Sequence, residues 1–346
     1  MNFEMFSPDL VPLLRCPSDR APLTLSDRAL VCTRCGESYP IRDGYAELLP
    51  HENFEHTTQY NDDEGGHILD YREMGPPLLS AKIKNDLLVD FLRPTREDIV
   101  LDLGCGNAKF AYWNRERCKT LLALDLAPWF ADAALAAVPL LRGDIRVLPF
   151  GDATFDKVYS IDVFEHLTAS DIARVLDEAQ RVLLPGGKLF IFSNTKERQT
   201  LSWAMAPQRA VTNWLKRRGA VDFRRDEWRK SDHVKAIATY EELQATLAAH
   251  GFTVKRVAFW NGIFQGWVEN VIVKLGEGML SKRARGQDVL EQQVVARQQV
   301  RAALRSDRRA RFYAPLAALT ALMSLDLKLF GHLRAGPYFL LAEKAM

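Results

Sequence analysis

Acidic residues and glycines recur at the ends of short apolar runs in the first half of this 346-residue chain. The first such run, Ile99–Leu103, is interrupted only by Asp102 and is followed by Gly104 and Gly106. Further apolar residues after the glycines indicate that a helix begins there. A strand, a glycine turn and a helix N-terminus form a site that holds a polar ligand against backbone N–H groups.

Two more acidic residues follow the next apolar runs. The run 121–125 ends in Asp125, which lies 23 residues beyond Asp102. A βαβ nucleotide-binding fold places a carboxylate at about this distance to hold ribose hydroxyls. A third run, 138–141, is followed by Gly143 and Asp144. Since a solvated strand end or turn would show the same residues, the spacing of the whole set favours ligand binding.

A fourth apolar strand, within the stretch FDKVYSIDVFEHL, is followed by residues that are able to move protons. Asp162 ends the strand, and Glu165 and His166 come shortly after it. Imidazole titrates near neutral pH, so His166 is a candidate base for a hydroxyl acceptor. The alternative is that His166 only caps the following helix or lines a pocket. A further strand is predicted after the helix-ending segment LLPGGKLFI.

Taken as a series, DLGCGN, ALD, GD, FDKVYSIDVFEHL and LLPGGKLFI resemble the class I S-adenosylmethionine-dependent methyltransferases. The resemblance is closest to the branch that acts on quinones, lipids and other small molecules. It covers residues 78–259 and returns at the C-terminus with the predicted closing strand 337–343. One departure is Ala108, where many members have a third glycine; a helix starting slightly farther from the ligand would tolerate that change.

The resemblance implies a fold, a cofactor and a set of binding residues. The fold is α/β, with a doubly wound Rossmann-like methyltransferase sheet, a small N-terminal zinc-ribbon-like segment and helical insertions. The cofactor is S-adenosyl-L-methionine, and the chain positions matching the family's binding residues are Asp102, Gly104 and Gly106 for the methionine end, Asp125 for the ribose, Asp144 with Ile145 for the adenine, and also Leu126 and Asp162.

The N-terminal segment carries a second candidate site. Cys16 with Asp19, and Cys32 with Cys35, are spaced like two knuckles joined by a hairpin of strands 23–25 and 29–31. Such an arrangement brings four ligands together tetrahedrally, which suits zinc. The segment, including its YPIRDG ending, resembles the zinc-ribbon activators of tRNA methyltransferases, in which a fourth cysteine usually stands in place of Asp19. The alternative is a metal-free ribbon that keeps its fold through apolar packing.

The chain divides into three predicted parts. Residues 1–50 form the ribbon, and 51–75 form a linker or lid whose Tyr60 and Tyr71 either close over the cofactor or anchor a loop. Residues 76–346 form the methyltransferase domain, with helices predicted at 76–92, 168–184 and 239–250. Two insertions, 195–238 and 262–336, interrupt it.

Both insertions combine basic residues with apolar helical faces. Residues 209–230 contain eight Lys/Arg against three Asp/Glu, and residues 281–311 contain nine against three. Helices are predicted at 263–275 and 315–330. The pattern indicates contact with an anionic surface, either membrane headgroups or a lipid-linked substrate. The alternative is that these helices only cover the core, with their arginines solvated.

Composition excludes several classes of protein. A net charge of +2 argues against a globally basic nucleic-acid binder. The N-terminus lacks a signal-peptide pattern, and no run of about 18 uninterrupted apolar residues predicts a membrane-spanning helix. Five cysteines, three of them in the ribbon, fit the reducing cytosol. The expected location is therefore cytoplasmic, with peripheral contact at the membrane.

These observations predict a methyltransferase that acts on a small-molecule acceptor of lipid-like or isoprenoid character. RNA methylation is the second interpretation, since some rRNA methyltransferases resemble this chain in joining a zinc ribbon to the same core. The chain has no Asn-Pro-Pro-Tyr-type motif for base amines, which counts against RNA. A non-catalytic scaffold is the third interpretation, and the presence of Asp102, Asp125 and Asp144 argues against it.

Overall fold

The computed structural model describes residues 7–50, 71–281, 294–295, 298–300 and 309–345. Tyr60 and most of the basic stretch 281–311 lie outside the described residues. The strands are β1 (Leu23–Ser26), β2 (Ala29–Cys32), β3 (Ser38–Arg42), β4 (Tyr45–Leu48), β5 (Ile99–Leu103), β6 (Thr120–Asp125), β7 (Leu140–Gly143), β8 (Phe155–Ile161), β9 (Leu183–Asn194), β10 (Phe252–Phe259) and β11 (Pro337–Lys344).

The described helices lie on the faces and at one end of the sheet. They are α1 (Leu79–Leu92), α2 (Lys109–Asn114), α3 (Asp132–Leu135), α4 (Ala169–Val182), α5 (Ala206–Arg217), α6 (Arg224–Arg229), α7 (Tyr240–Ala249), α8 (Ile263–Trp267), α9 (Lys274–Ser281) and α10 (Arg309–Phe330). A π-helical turn, Val268–Val273, joins α8 to α9. Short 3-10 helices occur at Pro8–Leu13, Arg115–Arg117, Phe164–His166 and Ser202–Met205.

One sheet of 11 described strands, in the order β1-β2-β3-β4-β7-β6-β5-β8-β9-β11-β10, passes through the molecule. The strands β7, β6, β5, β8 and β9 are parallel, while β11 runs antiparallel between β9 and β10. The predicted doubly wound α/β sheet with a closing antiparallel strand is thereby confirmed. Because the parallel strands end at the same edge, Asp102 and Asp125 are brought to one side of the sheet.

Local sequence signals explain several helix ends. The hydroxyl of Thr168 accepts a hydrogen bond from the Asp171 N–H at 3.1 Å and starts α4. The hydroxyl of Thr239 does the same for the Glu242 N–H at 3.2 Å and starts α7. Helix α1 begins at Leu79, three residues later than predicted, and ends at Leu92; its C-cap residue, Arg93, precedes a proline.

The segment around Pro185 differs from its prediction. Helix α4 ends at Val182 instead of Leu184, and β9 begins at once, pairing Leu183 with Phe155. The register then shifts, so that Lys157 pairs with Lys188 and the Pro-Gly-Gly residues form an irregular part of the strand. Proline cannot donate to a helical hydrogen bond, which favours the earlier helix end.

The N-terminal ribbon is continuous with the central sheet. Strand β4 pairs in parallel with β7, from Tyr45 opposite Leu140 to Leu48 opposite Gly143. Strands β1, β2 and β3 extend the sheet antiparallel beyond β4. The ribbon therefore covers an edge of the sheet that would otherwise expose unpaired backbone groups.

Helix α10, near the end of the second insertion, packs against α1 and α8. The Thr320 hydroxyl accepts a hydrogen bond from the Leu79 N–H at 2.8 Å, at the start of α1. The fully buried Asp326 carboxylate accepts the N–H groups of Phe264 and Gln265, each at 2.9 Å, and so caps α8. The sequence predicts no spanning helix, yet Tyr313–Phe330 is long and apolar enough to cross a membrane by length and composition. Its mean hydropathy is 1.3, and 17% of it is buried.

Candidate active site and metal centre

A pocket of about 920 Å³ opens at the carboxyl ends of the central strands. It brings together all of the predicted cofactor-binding residues and the predicted base: Asp102, Gly104, Gly106, Asp125, Leu126, Asp144, Ile145, Asp162 and His166. Helix α1, the 223–234 segment and the α8–α9 region complete its walls. Both insertions therefore contribute to the pocket.

The turn after β5 requires its glycines for different reasons. Gly104 has φ of +72°, and a Cβ atom there would lie 2.5 Å from Cγ2 of Val163. Gly106 has φ of +56°, and a Cβ atom there would meet no described heavy atom within 4 Å. This glycine faces open space, which leaves room for a ligand against the backbone. Ala108 itself adopts the left-handed conformation, with φ of +60°, directly before α2.

Asp102 is a buried acid with an uncompensated oxygen. The residue is only 2% exposed, and its Oδ2 atom has no hydrogen-bond partner among the described residues. Burial raises the pKa of Asp102 to about 8. A bound cation near this carboxylate would compensate its burial, so the site fits a positively charged ligand group.

Asp125 is held by the glycine turn. Its Oδ2 atom accepts the Gly106 N–H at 2.7 Å, and its Oδ1 atom accepts the Ala127 N–H at 2.9 Å. Burial raises the pKa of Asp125, and these backbone hydrogen bonds oppose the rise. A carboxylate has about four acceptor positions, so Asp125 retains capacity for a pair of ligand hydroxyls.

Asp144 is paired with an arginine that the sequence did not single out. The Nη2 atom of Arg146 lies 2.7 Å from Oδ2 of Asp144, and its Nε atom lies 3.0 Å from Oδ1. Arg146 also reaches Asp171 at 3.1 Å. Asp144 and Ile145 both line the pocket, as the adenine assignment requires. The assignment itself stays a prediction, and any ligand at Asp144 would share its carboxylate with Arg146.

Asp162 forms an ion pair with Lys84 of α1. The Lys84 Nζ atom lies 2.8 Å from Oδ1 and 2.5 Å from Oδ2 of Asp162. Asp162 has φ of +59°, a conformation that non-glycine residues adopt at a cost. Sequence reasoning missed Lys84, because no local pattern links a residue of α1 to the end of β8.

His166 is oriented by an aspartate from the first insertion. Its Nδ1 atom lies 2.8 Å from Oδ1 of Asp232, and the His233 ring packs edge-on against it with centroids 4.6 Å apart. Since Thr168 caps α4, the capping alternative for His166 does not hold. Burial, and to a smaller extent the electrostatic effect of the nearby His166, lowers the pKa of His233 to about 4.

Glu165 lies next to these histidines but is engaged by the sheet. It is 2% exposed, and its Oε2 atom accepts the Ser193 hydroxyl at 2.5 Å while Oε1 accepts the Asn194 amide. Burial raises the pKa of Glu165, with a further contribution from Asp162. Its carboxylate and the rings of His166 and His233 offer atoms within 4.8 Å of one another.

An aromatic pair forms another wall of the pocket. The rings of Tyr71 and Trp129 stack with centroids 5.5 Å apart and planes 24° apart. The amide of Asn107 donates to the Tyr71 carbonyl at 3.3 Å, which ties this segment to the glycine turn. Tyr71 thus lies at the predicted cofactor side, while Tyr60 lies outside the described residues.

The ribbon brings its four predicted ligands together. Donor atoms of Cys16, Asp19, Cys32 and Cys35 lie within 4.8 Å of one another. The Cys16 and Cys35 Sγ atoms are 3.8 Å apart, close to the separation of about 3.8 Å that two thiolates at about 2.3 Å from a tetrahedral zinc would have. The N–H groups of Arg34 and Cys35 donate to Cys32 Sγ at 3.4 Å. This donor set fits zinc.

Known protein families match both parts of the chain. Residues 101–191 match the methyltransferase domain family, and residues 7–44 match the Trm112p-like protein family. A malonyl-[acyl-carrier protein] O-methyltransferase from Serratia marcescens is 42% identical over 97 residues, 27% of this chain and 37% of that protein. An uncharacterized methyltransferase from Mycobacterium bovis is 34% identical over 118 residues, 33% and 47% of the two chains. The chain thus spans about half the length, or less, of these curated relatives.

A solved structure supports the fold. Phosphoethanolamine N-methyltransferase 2 from Haemonchus contortus, in complex with S-adenosyl-L-methionine, has a TM-score of 0.52 and 16% sequence identity to this chain. The likeness covers 84% of this chain and 59% of that chain. At this identity the comparison shows a shared fold and nothing further.

The sheet order and the family matches define the class of the protein. The chain contains a class I, S-adenosylmethionine-dependent methyltransferase domain. It carries in addition a Trm112p-like zinc-ribbon segment, joined to that domain through β4. The resemblance predicted from the sequence is confirmed for both parts.

Proposed function

We propose that this protein transfers the methyl group of S-adenosylmethionine to a small-molecule acceptor of lipid-like or isoprenoid character. The observation that carries the proposal is the pocket, in which the acids at the carboxyl ends of β5 and β6 and the His166–Asp232 pair face one cavity. A non-catalytic scaffold would not need such an arrangement.

The cofactor end of the pocket suits the parts of S-adenosylmethionine. The uncompensated Asp102 carboxylate suits the positive charge of the methionine end, and Gly106 leaves open space beside it. Asp125 keeps acceptor positions for the two ribose hydroxyls. When bound, the sulfonium of the cofactor supplies the reactive methyl group.

The remaining walls suit an acceptor that has both an apolar body and a polar group. Phe192 and Trp260 are buried aromatic residues of this wall, and Phe223 and Val234 come from the first insertion. The Lys84 Nζ atom lies 4.3 Å from the Phe192 ring centroid, which places the charged pair beside the apolar wall. A concave pocket of about 920 Å³ with both polar and apolar walls favours a small molecule over an RNA duplex.

His166 is proposed to accept the proton of a hydroxyl acceptor. In the tautomer that donates from Nδ1 to Asp232, the lone pair is on Nε2, as a base requires. The assignment follows the hydrogen bond and resembles the orientation of imidazole by a carboxylate in other general-base sites. The other residues that line the pocket are proposed to align the acceptor with the methyl group and to exclude water.

The Trm112p-like segment is proposed to serve its own methyltransferase domain. The pairing of β4 with β7 and the bridge between Leu14 and Phe150 hold it against the sheet edge within one chain. The ion pair of Arg20 with Glu178 of α4, at 2.9 Å, adds a polar contact. These contacts support a structural role at the edge of the sheet.

An activity screen with methyl-labelled cofactor tests the proposal. The protein is incubated with total lipid extract, a panel of small hydroxylated compounds and total RNA, with Asp125→Ala as the background control. Label is expected in an organic-soluble product and should be strongly reduced in the control. Label in RNA alone would establish the RNA interpretation, and cofactor binding without any transfer in the three arms would support the scaffold.

A further inference from the structure

The first insertion presents an apolar stripe to solvent. The 3-10 turn Ser202–Met205 runs directly into α5, so the two form one continuous helical segment. Trp203 is 73% exposed and Trp214 is 52% exposed, and Pro207 and Ala210 between them are also exposed. Their spacing of four, three and four residues puts all four on one face of a helix.

The opposite side of this segment is anchored to the protein. Leu215 is buried against Val271 of the π-helical turn, with Val211 and Trp267 packed around them. Gln208 is also buried and its amide donates to the Thr212 hydroxyl at 2.6 Å. The helix is therefore held in place by its opposite, buried face. Its tryptophans point to solvent and are not part of the packed core.

The charges on this segment all have the same sign. Residues 201–218 contain four basic residues and no acidic residue. Lys216 pairs with Glu227 at 2.5 Å, whereas Arg209 and Arg217 are exposed, and the Arg218 guanidinium lies 4.5 Å from the Trp214 ring centroid. A positive apolar stripe is complementary to an anionic surface with an apolar interior.

Neighbouring elements extend this apolar surface and connect it to the pocket. Ile272, which follows the Val271 that α5 covers, is 46% exposed, and Met279 of α9 is 65% exposed. Met205, at the junction between the 3-10 turn and α5, lines the pocket. The same helical segment thus contributes to both the exposed stripe and the pocket wall.

We infer that residues 202–218 dock the protein onto an anionic lipid bilayer, with Trp203 and Trp214 entering the interface and the arginines contacting headgroups. Tryptophan prefers the bilayer interface because one part of its ring system is apolar and the other carries an N–H group. A docked segment of this kind would place the pocket next to a membrane-held acceptor. RNA also attracts arginine and stacks on tryptophan, so RNA is the competing partner in the test.

Sedimentation with vesicles tests the inference without relying on methyl transfer. The full-length protein is mixed with phosphatidylcholine vesicles or with vesicles containing phosphatidylglycerol, at low and high salt. Binding is expected for the anionic vesicles only and should weaken as salt rises. Arg209, Arg217 and Arg218 changed together to Gln should weaken binding by about fivefold per charge.

Matched variants separate the stripe from general charge. Arg96, Arg117 and Lys119, exposed residues outside the docking segment, changed together to Gln, remove equal charge and should leave vesicle binding within about twofold of wild type. Trp203→Ala with Trp214→Ala should lower binding at least tenfold. Circular dichroism melting curves verify that each variant is folded.

Several outcomes would overturn the inference. These are the absence of anionic-vesicle binding by the wild type, equal losses in both charge variants, and wild-type binding by the double tryptophan variant. Binding to RNA that outcompetes the vesicles would assign the surface to nucleic acid. Because every readout is physical binding, failure here is distinguishable from failure of the proposed methyl transfer.

Discussion

Lys84 of α1 and Asp162 at the end of β8 form an ion pair within the pocket, with Nζ 2.8 Å and 2.5 Å from the two carboxylate oxygens. Burial acts to raise the pKa of Asp162, but the charge and hydrogen bonds of Lys84 outweigh it and hold the pKa below its usual value. The pair therefore attaches α1 to the end of β8 within the pocket.

Replacing Lys84 with Met should destabilise the protein in a pH-dependent way. At pH 7 the Asp162 carboxylate loses its partner, and the free energy of unfolding should fall by about 2 kcal/mol. Because a carboxylate with a depressed pKa contributes its full stability above about pH 4 and loses it as the pH falls further, the difference from wild type should persist from pH 7 to about pH 4 and shrink below that. Urea unfolding between about pH 2 and pH 7 measures it.

Lys82→Met is the matched control for this prediction. Lys82 is on the same helix and pairs with Asp86 at 2.8 Å, but both side chains are exposed. Its loss should change stability by less than about 0.5 kcal/mol at any pH. A Lys84 variant that matches this control, or whose deficit is independent of pH, would contradict the assigned role of the pair.

The cofactor assignment of Asp125 predicts a loss of affinity. Asp125→Ala removes charge-assisted hydrogen bonds to the ribose and should weaken S-adenosylmethionine binding by about 30- to 150-fold, or about 2–3 kcal/mol. Isothermal titration calorimetry measures this change. Asp132→Ala alters an exposed acid of the following helix and should bind normally. An Asp125 variant that is folded and binds within about twofold of wild type would show that the assignment is wrong.

The ribbon predicts a metal content that chemical analysis can determine. The purified protein should contain about one equivalent of zinc, and Cys32→Ser should lose it. Loss of the metal should destabilise the ribbon, as seen in the melting temperature, while cofactor affinity changes little because the two sites are separate. Cys118→Ser, at a buried cysteine outside the ribbon, is the control for zinc content. A metal-free wild type with an ordered ribbon would support the metal-free alternative.

Local patterns predicted the strands and the cofactor side of the site. Asp102 and Asp125 stand at the ends of apolar runs, and parallel strands must bring such ends to one edge. The knuckle spacing likewise predicted the meeting of Cys16 and Cys35. These predictions succeeded because each depends on residues close in sequence or on a geometric property of the sheet.

Long-range partners were not predictable in the same way. Lys84 is 78 positions from Asp162, and Asp232 is 66 positions from His166. Their meeting depends on how α1 and the first insertion pack, which no local periodicity specifies. The parallel pairing of β4 with β7 was missed for the same reason.

Ala108 shows how a family departure can be accommodated differently from its prediction. The sequence predicted that a later helix start would accept alanine in place of glycine. Instead Ala108 itself takes φ of +60° while its methyl group is fully buried. The unfavourable conformation, which costs about 1–2 kcal/mol, is opposed by the packing of the methyl group.

The contact between Asp232 and His166 predicts a kinetic signature. In the proposed reaction Asp232 is a positioning residue, since it would act on the acceptor through the imidazole. Asp232→Asn should lower kcat/KM by about 10- to 100-fold for a hydroxyl acceptor while cofactor affinity is preserved. Because the imidazole acts in the proton-transfer step, the loss should appear in kcat and not in KM for the acceptor.

The second histidine and a matched control help to interpret this loss. Burial lowers the pKa of His233 to about 4, so His233 is neutral over pH 6–8. The control is Asp177→Asn, which removes a similar aspartate contact to His250 Nδ1, at 2.6 Å and away from the pocket. That variant should retain the wild-type kcat/KM. If Asp232→Asn retains it too, or raises KM with kcat unchanged, His166 is not the base and Asp232 only supports the insertion.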